Sequence, residues 1–189
     1  MNKYSFLIIL FFPLIVFAQK TKEGNIINWS NDRPLKWADF KGTPDATNKQ
    51  EAAATCTELI ITPDNQSKDS IKYFIYAQAV KNKSWKIKKD ESDYILKHEQ
   101  THFDIAELFA RKLRKELSET AFTTKTLNSQ VEKIFRKYYK LLEEEQNKYD
   151  KETNHSIIKE KQEEWNKKIA EDLISNESFS NPLVVVNVK

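Results

Sequence analysis

The chain has 189 residues, with 31 Lys and Arg against 28 Asp and Glu, and it contains two glycines and a single cysteine. This length suits one domain or at most two small ones, and a lone cysteine excludes a scaffold held together by internal disulfides. Four Trp, seven Tyr and eleven Phe supply enough apolar surface for a core, which excludes full disorder. The net charge of +3 is small and lysines alternate with glutamates, so nucleic acid is not an expected partner.

The first 18 residues have the pattern of a secretory signal peptide. Lys3 precedes an apolar run from Phe6 to Phe17, and Val16-Phe17-Ala18 places small side chains where signal peptidase cleaves. The run has about 12 residues, whereas a membrane-spanning helix needs about 20. We therefore expect a signal peptide at 1–18 and one domain at 19–189. That domain would be secreted or periplasmic, with no stable membrane anchor after cleavage; a retained anchor is the alternative.

Strand-like segments come next in the chain, at residues 25–29, 53–62 and 71–80, and polar turn residues separate them. In the last of these, Ile75 and Ala77 share one face while Phe74 and Tyr76 share the other, so one face is expected to be half exposed. Cys56 falls in the second segment, where a small buried apolar filler is its simplest role.

Helical periodicity dominates from residue 90 onward, predicting helices over about 92–117, 126–149 and 156–174. The third helix carries Ile158, Gln162, Trp165, Ile169 and Leu173 on one stripe. We predict an α+β fold in which a small, mainly antiparallel sheet packs on the first helix and two long helices enclose it. The tail, 182–189, is either an edge strand or a loose end.

The first predicted helix contains an H-E-x-x-H motif, His98-Glu99-Gln100-Thr101-His102. His102 lies about 40° round the helix from His98 and one turn further along, so both imidazoles can bind one ion. Both emerge from the apolar stripe that faces the core. Glu99, about 100° from His98, can reach a metal-bound water without becoming a ligand. The alternative is an ordinary helix surface, since the motif fixes only three positions.

A catalytic zinc ion needs a third protein ligand, and the one other histidine is His155, between the second and third helices. We predict His98, His102 and His155 as the metal ligands, with a plain loop histidine as the alternative for His155. Asp150 is expected either to hold an imidazole through its free N–H or to cap the following turn.

Water is a poor nucleophile at neutral pH until a cation lowers its pKa to about 7. We therefore predict Glu99 as the base and a zinc ion, Zn2+, as the cofactor of hydrolysis through a metal-activated water. Neutral imidazole suits zinc, and the lack of a cysteine cluster favours an open, catalytic site.

Four blocks of sequence resemble an uncharacterised bacterial family of predicted secreted zinc-dependent proteases, known as domain of unknown function 922. The blocks are the residues 35–42 (Leu-Lys-Trp-Ala-Asp-Phe-Lys-Gly), Ser84-Trp85, residues 96–107 around the histidine motif, and Tyr149-Asp150-x-x-Thr153-x-His155 with Gln162-x-x-Trp165. The resemblance implies a zincin-like hydrolase with His98 and His102 as ligands, Glu99 as base and His155 as third ligand. Ser156 stands where the pattern leads us to expect glycine.

The sequence thus favours a secreted zinc metallopeptidase acting on a peptide or protein. Two alternatives remain open at this stage: a zinc amidase acting on cell-wall amides, and a non-catalytic envelope binding module in which the ion only fixes the helices. We also expect the strand near 74–80 to lie beside the cleft and to pair with an extended substrate peptide.

Overall fold

The computed structural model of the chain describes residues 24–44, 51–64 and 70–189. The predicted signal peptide lies outside these residues and stays a prediction. Among the described residues, none of the helices combines the length and the hydropathy that a membrane-spanning segment needs. In chain order the elements are β1 (Ile26–Asn28), β2 (Ala53–Ala54), β3 (Thr57–Pro63), β4 (Lys72–Val80), β5 (Trp85–Lys86), α1 (Asp93–Glu119), β6 (Ala121–Phe122), α2 (Leu127–Thr153), α3 (Lys159–Ser175), β7 (Leu183–Val185) and β8 (Asn187–Val188).

The main sheet is antiparallel and is centred on β4, the longest strand. β3 pairs along one edge of β4, with Ile61 opposite Ile75. β1 and β7 pair with the two ends of the other edge, where the amide of Ile75 also donates to the carbonyl of Pro182. Both edges of β4 are therefore occupied. The expectation that this strand pairs with a substrate peptide was wrong, because it lies in the centre of the sheet.

The two faces of β4 differ in burial as its alternating pattern predicts. Ile75 and Ala77 are buried against the helices, whereas Phe74 and Tyr76 are half-buried on the other face, with ring centroids 6.0 Å apart. The mainly antiparallel sheet beside three helices confirms the α+β class.

The second predicted strand, 53–62, is divided into β2 and β3 by an interruption at Thr55 and Cys56. The amide of Cys56 donates to the hydroxyl of Ser84 instead of to a neighbouring strand. Cys56 is half-buried, so it does not have the fully buried environment expected of a filler. The interruption turns the side chain of Thr55 toward α1.

Helix α1 begins directly after Ser92, which caps it. The hydroxyl of Ser92 accepts from the amide of Ile95, satisfying one of the donors that a helix start leaves without a partner. The inward face is apolar along most of the helix, with Phe103, Leu113 and Leu117 exposed by less than 1%. Helices α1 and α2 are antiparallel, because His98 contacts Asp150 while Glu116 contacts Tyr138.

A buried charged cluster ties α1 to the sheet and to the segment after α3. Glu107 accepts hydrogen bonds from Arg111 and Arg114, and all three residues are at most 2% exposed. Arg114 also donates to the carbonyl of Ile75 in β4, and Arg111 to the carbonyl of Leu173 at the end of α3. Removing one member of such a buried pair lowers the stability of the fold by about 3–5 kcal/mol. The cluster therefore holds α1 against the sheet and against the end of α3.

The tail forms an added edge strand, which settles the alternative that the sequence left open. β7 pairs with β4 in antiparallel register, and β8 pairs in parallel with β6. The observed ends of α2 and α3 differ from the predicted ones by a few residues, and α2 extends four residues further, to Thr153.

Candidate metal centre

Two histidines of α1 converge in the cleft between this helix and α2. His98 is 4% exposed, and its Nε2 lies 3.2 Å from the Nε2 of His102. The two rings meet nearly edge to face, at an angle of 85°. One helical turn separates their backbones, so the crossed rings direct both Nε2 atoms toward one point.

Asp150 of α2 brings a carboxylate oxygen to the same point. Its Oδ1 lies 3.2 Å from the Nε2 of His98 and 2.9 Å from the Nε2 of His102. These three residues form a group whose donor atoms all lie within 4.8 Å of one another and that could hold a metal ion. A tetrahedral zinc ion with bonds of about 2.0–2.1 Å separates its ligand atoms by about 3.3 Å. The observed triangle of donor atoms therefore fits one face of such a coordination shell.

The outer nitrogen of each imidazole contacts a glutamine. The Nδ1 of His98 lies 2.7 Å from the Oε1 of Gln162 in α3, and the Nδ1 of His102 contacts the Oε1 of Gln146 in α2. Tyr149 fills the space behind the histidines: its ring stacks on His98 at 4.6 Å, and the residue has no exposed surface. Three helices thus surround the two imidazoles.

The electrostatics of the group favour positive charge at its centre. Burial acts to lower the pKa of His102, but the hydrogen bond to Asp150 and the charges of Asp150 and Glu99 outweigh burial and raise the pKa to about 9. Burial alone would raise the pKa of Asp150, yet hydrogen bonds from His102 and His98 hold it far below its usual range. A bound cation would supply the same positive charge at the same place.

Glu99 is buried beside the histidines and is held by the interruption between β2 and β3. It is 2% exposed, and its Oε2 accepts a 2.8 Å hydrogen bond from the hydroxyl of Thr55. Glu99 and Thr55 both line the cleft that contains His98 and His102. This placement keeps one carboxylate in the cleft without including it in the triangle of donor atoms.

The cleft has a volume of about 510 Å³, in the range of small-molecule and peptide subsites. Residues 51–57 form one wall and α2 forms the other. The lining includes four carboxylates, those of Glu51, Glu99, Glu143 and Asp150, and the described residues that line the cleft include no lysine or arginine. In a chain with net positive charge, this local excess of acid draws cations to the cleft.

His155 lies at the rim of the cleft, in the turn between α2 and α3. Its Nδ1 is 3.3 Å from Glu51 Oε1 and 3.8 Å from Asp150 Oδ1. The converging donor atoms among the described residues are those of His98, His102 and Asp150, so His155 approaches the group through Asp150. The ligand role predicted for His155 stays a prediction.

The turn that carries His155 has an unusual backbone. Asn154, His155 and Ser156 have φ values of +48°, +52° and +71°, a left-handed conformation that costs residues with a Cβ about 1–2 kcal/mol each. Ser156 is the position where the motif led us to expect glycine. The positive φ gives the physical reason for that expectation.

Sequence reasoning placed Asp150 as a partner of an imidazole or as a cap, and it did not single out Gln146, Gln162 or Thr55 as part of the centre. A signal was present for Gln162, which is a polar residue on an apolar stripe. Gln146 lies four residues after buried Leu142 and three before buried Tyr149, on the inward face of α2. A polar residue at an inward position of an amphipathic helix indicates a buried partner.

Comparisons with known proteins agree with the resemblance in this region. The model of a bacterial protein family of unknown function, DUF922, matches residues 77–156. The match contains His98, Glu99, His102, Asp150 and His155, so this part of the chain is similar to that family, whose description names no activity. No curated protein and no solved structure matches the chain.

Proposed function

We propose that this protein is an exported zinc-dependent metallopeptidase in which His98, His102 and Asp150 hold the ion and Glu99 is the general base. The observation that carries the proposal is the convergence of two Nε2 atoms and one carboxylate oxygen within 3.2 Å of one another. Two imidazoles and a carboxylate make an open donor set that leaves a fourth position for water or substrate.

The donor chemistry supports zinc over harder cations. Magnesium and calcium prefer shells made largely of oxygen atoms, whereas neutral imidazole suits zinc. When bound, zinc acts as a Lewis acid on a substrate carbonyl and lowers the pKa of water to about 7. His155, at 3.8 Å from Asp150 Oδ1, is the other candidate for a protein ligand, as the sequence predicts.

In this proposal Glu99 takes the proton of the attacking water and passes it to the leaving amine. The hydroxyl of Thr55 fixes one oxygen of the carboxylate, which limits the rotation of the side chain and keeps it directed into the cleft. Burial excludes bulk water from Glu99, and a positioned base of this kind contributes about 10²–10⁴-fold to the rate. A carboxylate on an open surface would be neither fixed in position nor shielded from bulk water.

The test combines zinc analysis with hydrolysis of a mixture of internally quenched peptides by the purified protein and by Glu99→Gln. The wild type should bind zinc and cleave peptides. Glu99→Gln should retain zinc and lose about 10²–10⁴-fold in rate, because it keeps the shape of the side chain and removes the base. Glu144→Gln, an exposed change on α2, is the matched control and should leave both properties unchanged.

Two results would contradict the proposal. One is a wild-type protein that neither purifies with zinc nor gains thermal stability when zinc is added. The other is a Glu99→Gln variant that hydrolyses peptides as fast as the wild type. Retained hydrolysis in that variant would show that Glu99 is not the base, whereas zinc binding without hydrolysis by the wild type would favour a role of the ion in holding the helices together.

A further inference from the structure

We propose that Gln146 and Gln162 are positioning residues that lock His102 and His98 in the tautomer with the proton on Nδ1, so that both Nε2 lone pairs point at the metal. This inference rests on the proposed metal site. It concerns two residues, on two different helices, that were not singled out as part of the centre by the sequence.

The direction of the contacts follows from the chemistry of the amide group. A neutral imidazole carries one N–H, and the oxygen of a glutamine side chain only accepts hydrogen bonds. If Oε1 faces Nδ1, the proton must lie on Nδ1 and the lone pair on Nε2. Metal-binding histidines ordinarily have this arrangement, with the remote N–H given to a protein acceptor.

The orientation of Gln162 is fixed by a chain of hydrogen bonds that ends at a backbone carbonyl. The hydroxyl of Tyr149 donates to the carbonyl of His98, at 3.3 Å. Since its proton is used there, that hydroxyl must accept from Gln162, and it contacts the Nε2 of the amide. The Oε1 of Gln162 is therefore the atom that faces His98, at 2.7 Å. Gln162 has no exposed surface, so water does not compete for these groups.

The orientation of Gln146 is fixed in a similar way. Its Nε2 lies 3.3 Å from the carbonyl of His102 and 2.9 Å from the hydroxyl of Thr57. A backbone carbonyl cannot donate, so the amide nitrogen must be on that side and Oε1 must face the Nδ1 of His102. Each histidine thus has its own acceptor, and each chain of hydrogen bonds returns to the backbone carbonyl of the histidine that it orients.

The alternative is that the two glutamines only fill space with satisfied polar groups. Gln→Met substitutions separate the two roles, because methionine has a similar length and volume but cannot accept the Nδ1 proton with comparable strength. Zinc affinity is measured on the purified protein by competition with a chromophoric chelator. We expect Gln162→Met and Gln146→Met to weaken zinc binding about 10–100-fold.

Gln162→Glu provides the rescue. One carboxylate oxygen accepts from the Nδ1 of His98, and the hydroxyl of Tyr149 can turn to donate to the other oxygen. The amide of Asn166, whose Oδ1 accepts from Gln162 Nε2 at 2.8 Å, can flip so that its NH2 group donates there as well. This variant should therefore bind zinc at least as tightly as the wild type. The same change at Gln146 is a poorer rescue, because its second oxygen would face the carbonyl of His102. Gln130→Met, at an exposed position of α2, is the matched control and should not change the affinity.

The second measurement is the ¹⁵N spectrum of the imidazoles in the zinc-loaded protein, which reports which nitrogen carries the proton. The wild type should show protonated Nδ1 on both His98 and His102, and the Met variants should lose that fixed pattern. Unchanged zinc affinity in both Met variants, with a lower melting temperature of the metal-free protein, would overturn the proposal and assign the glutamines to packing. A wild type that binds no zinc would instead overturn the metal site itself.

Discussion

Asp150→Ala tests whether the third ligand is the carboxylate that the structure places between the histidines. The substitution removes the Oδ1 atom that lies 3.2 Å and 2.9 Å from the two Nε2 atoms. Alanine is favourable within a helix, and residue 150 lies inside the last turn of α2. The backbone of the site should therefore survive the change.

The expected loss of zinc affinity in this variant follows from the number of protein atoms that bind the ion. Structural zinc sites with four protein ligands bind with about 10–16 kcal/mol, or about 2.5–4 kcal/mol for each ligand. At about 1.4 kcal/mol for a factor of ten, losing Asp150 should weaken zinc binding by two to three powers of ten. His155→Ala should weaken it by about tenfold to a hundredfold if His155 acts through Asp150. If His155 is itself a ligand, the two variants should lose comparable affinity.

The assay is chelator competition combined with thermal unfolding at a fixed zinc concentration. A ligand at 100 times its dissociation constant stabilises the folded state by about 2.7 kcal/mol, which raises the melting temperature by about 5–11 °C for a domain of this size. Asp150→Ala should lose this increase, and Glu144→Ala on the same helix should keep it. Retention of wild-type zinc affinity by Asp150→Ala would refute the proposed donor set.

Two further predictions concern the stability of the folded protein. Ser156→Gly should raise the melting temperature by about 1–4 °C, because relief of the left-handed backbone strain outweighs the entropy that glycine adds to the unfolded chain. The control, Ser129→Gly in α2, should lower the melting temperature. Equal losses in the two variants would contradict this account. For Asp39, burial acts to raise the pKa, but the hydrogen bonds from Arg33 and from the amide of Lys36 lower it. A carboxylate with a depressed folded-state pKa stabilises the fold above the unfolded pKa, about 3.9, and this contribution is lost as the pH falls through the folded value. Urea unfolding should therefore show Asp39→Asn less stable than the wild type by about 1.5–3 kcal/mol at pH 7, with the difference shrinking in acid; a difference independent of pH would contradict it.

The first helix was predictable because its signals agree with one another. Ser92 supplies the cap, the apolar residues repeat with helical period, and His98 and His102 lie on the inward side of that pattern. Local sequence signals therefore predict both the helix and the side of it from which the imidazoles of His98 and His102 project. The strand segments were found for the same reason, although the interruption at Thr55 and Cys56 depends on contacts with Glu99 and Ser84 that are distant in sequence.

The rest of the centre depends on how α2 and α3 are rotated about their axes relative to α1. Local sequence patterns do not predict that rotation. Gln146 and Asp150 are four residues apart on α2 and face His102 and His98 in antiparallel order. Gln162 on α3 completes the set. Each of these residues is polar at an inward position of its helix, and a polar group in such a position needs a partner. Only the packing of the three helices identifies the partners as the imidazoles.

The centre lies where the inward face of α2 changes from apolar to polar residues. Leu142 is buried against the core, and one turn later Gln146 and then Asp150 replace the apolar residues, in the stretch that lies across from His102 and His98. A half-buried carboxylate between two imidazoles is costly unless positive charge compensates it, and a divalent cation compensates it more fully than two shared protons. Because its donors come from α1 and α2 while α3 orients one of the histidines, a bound ion would link all three helices. Zinc should therefore raise the stability of the whole helical layer rather than order a single loop.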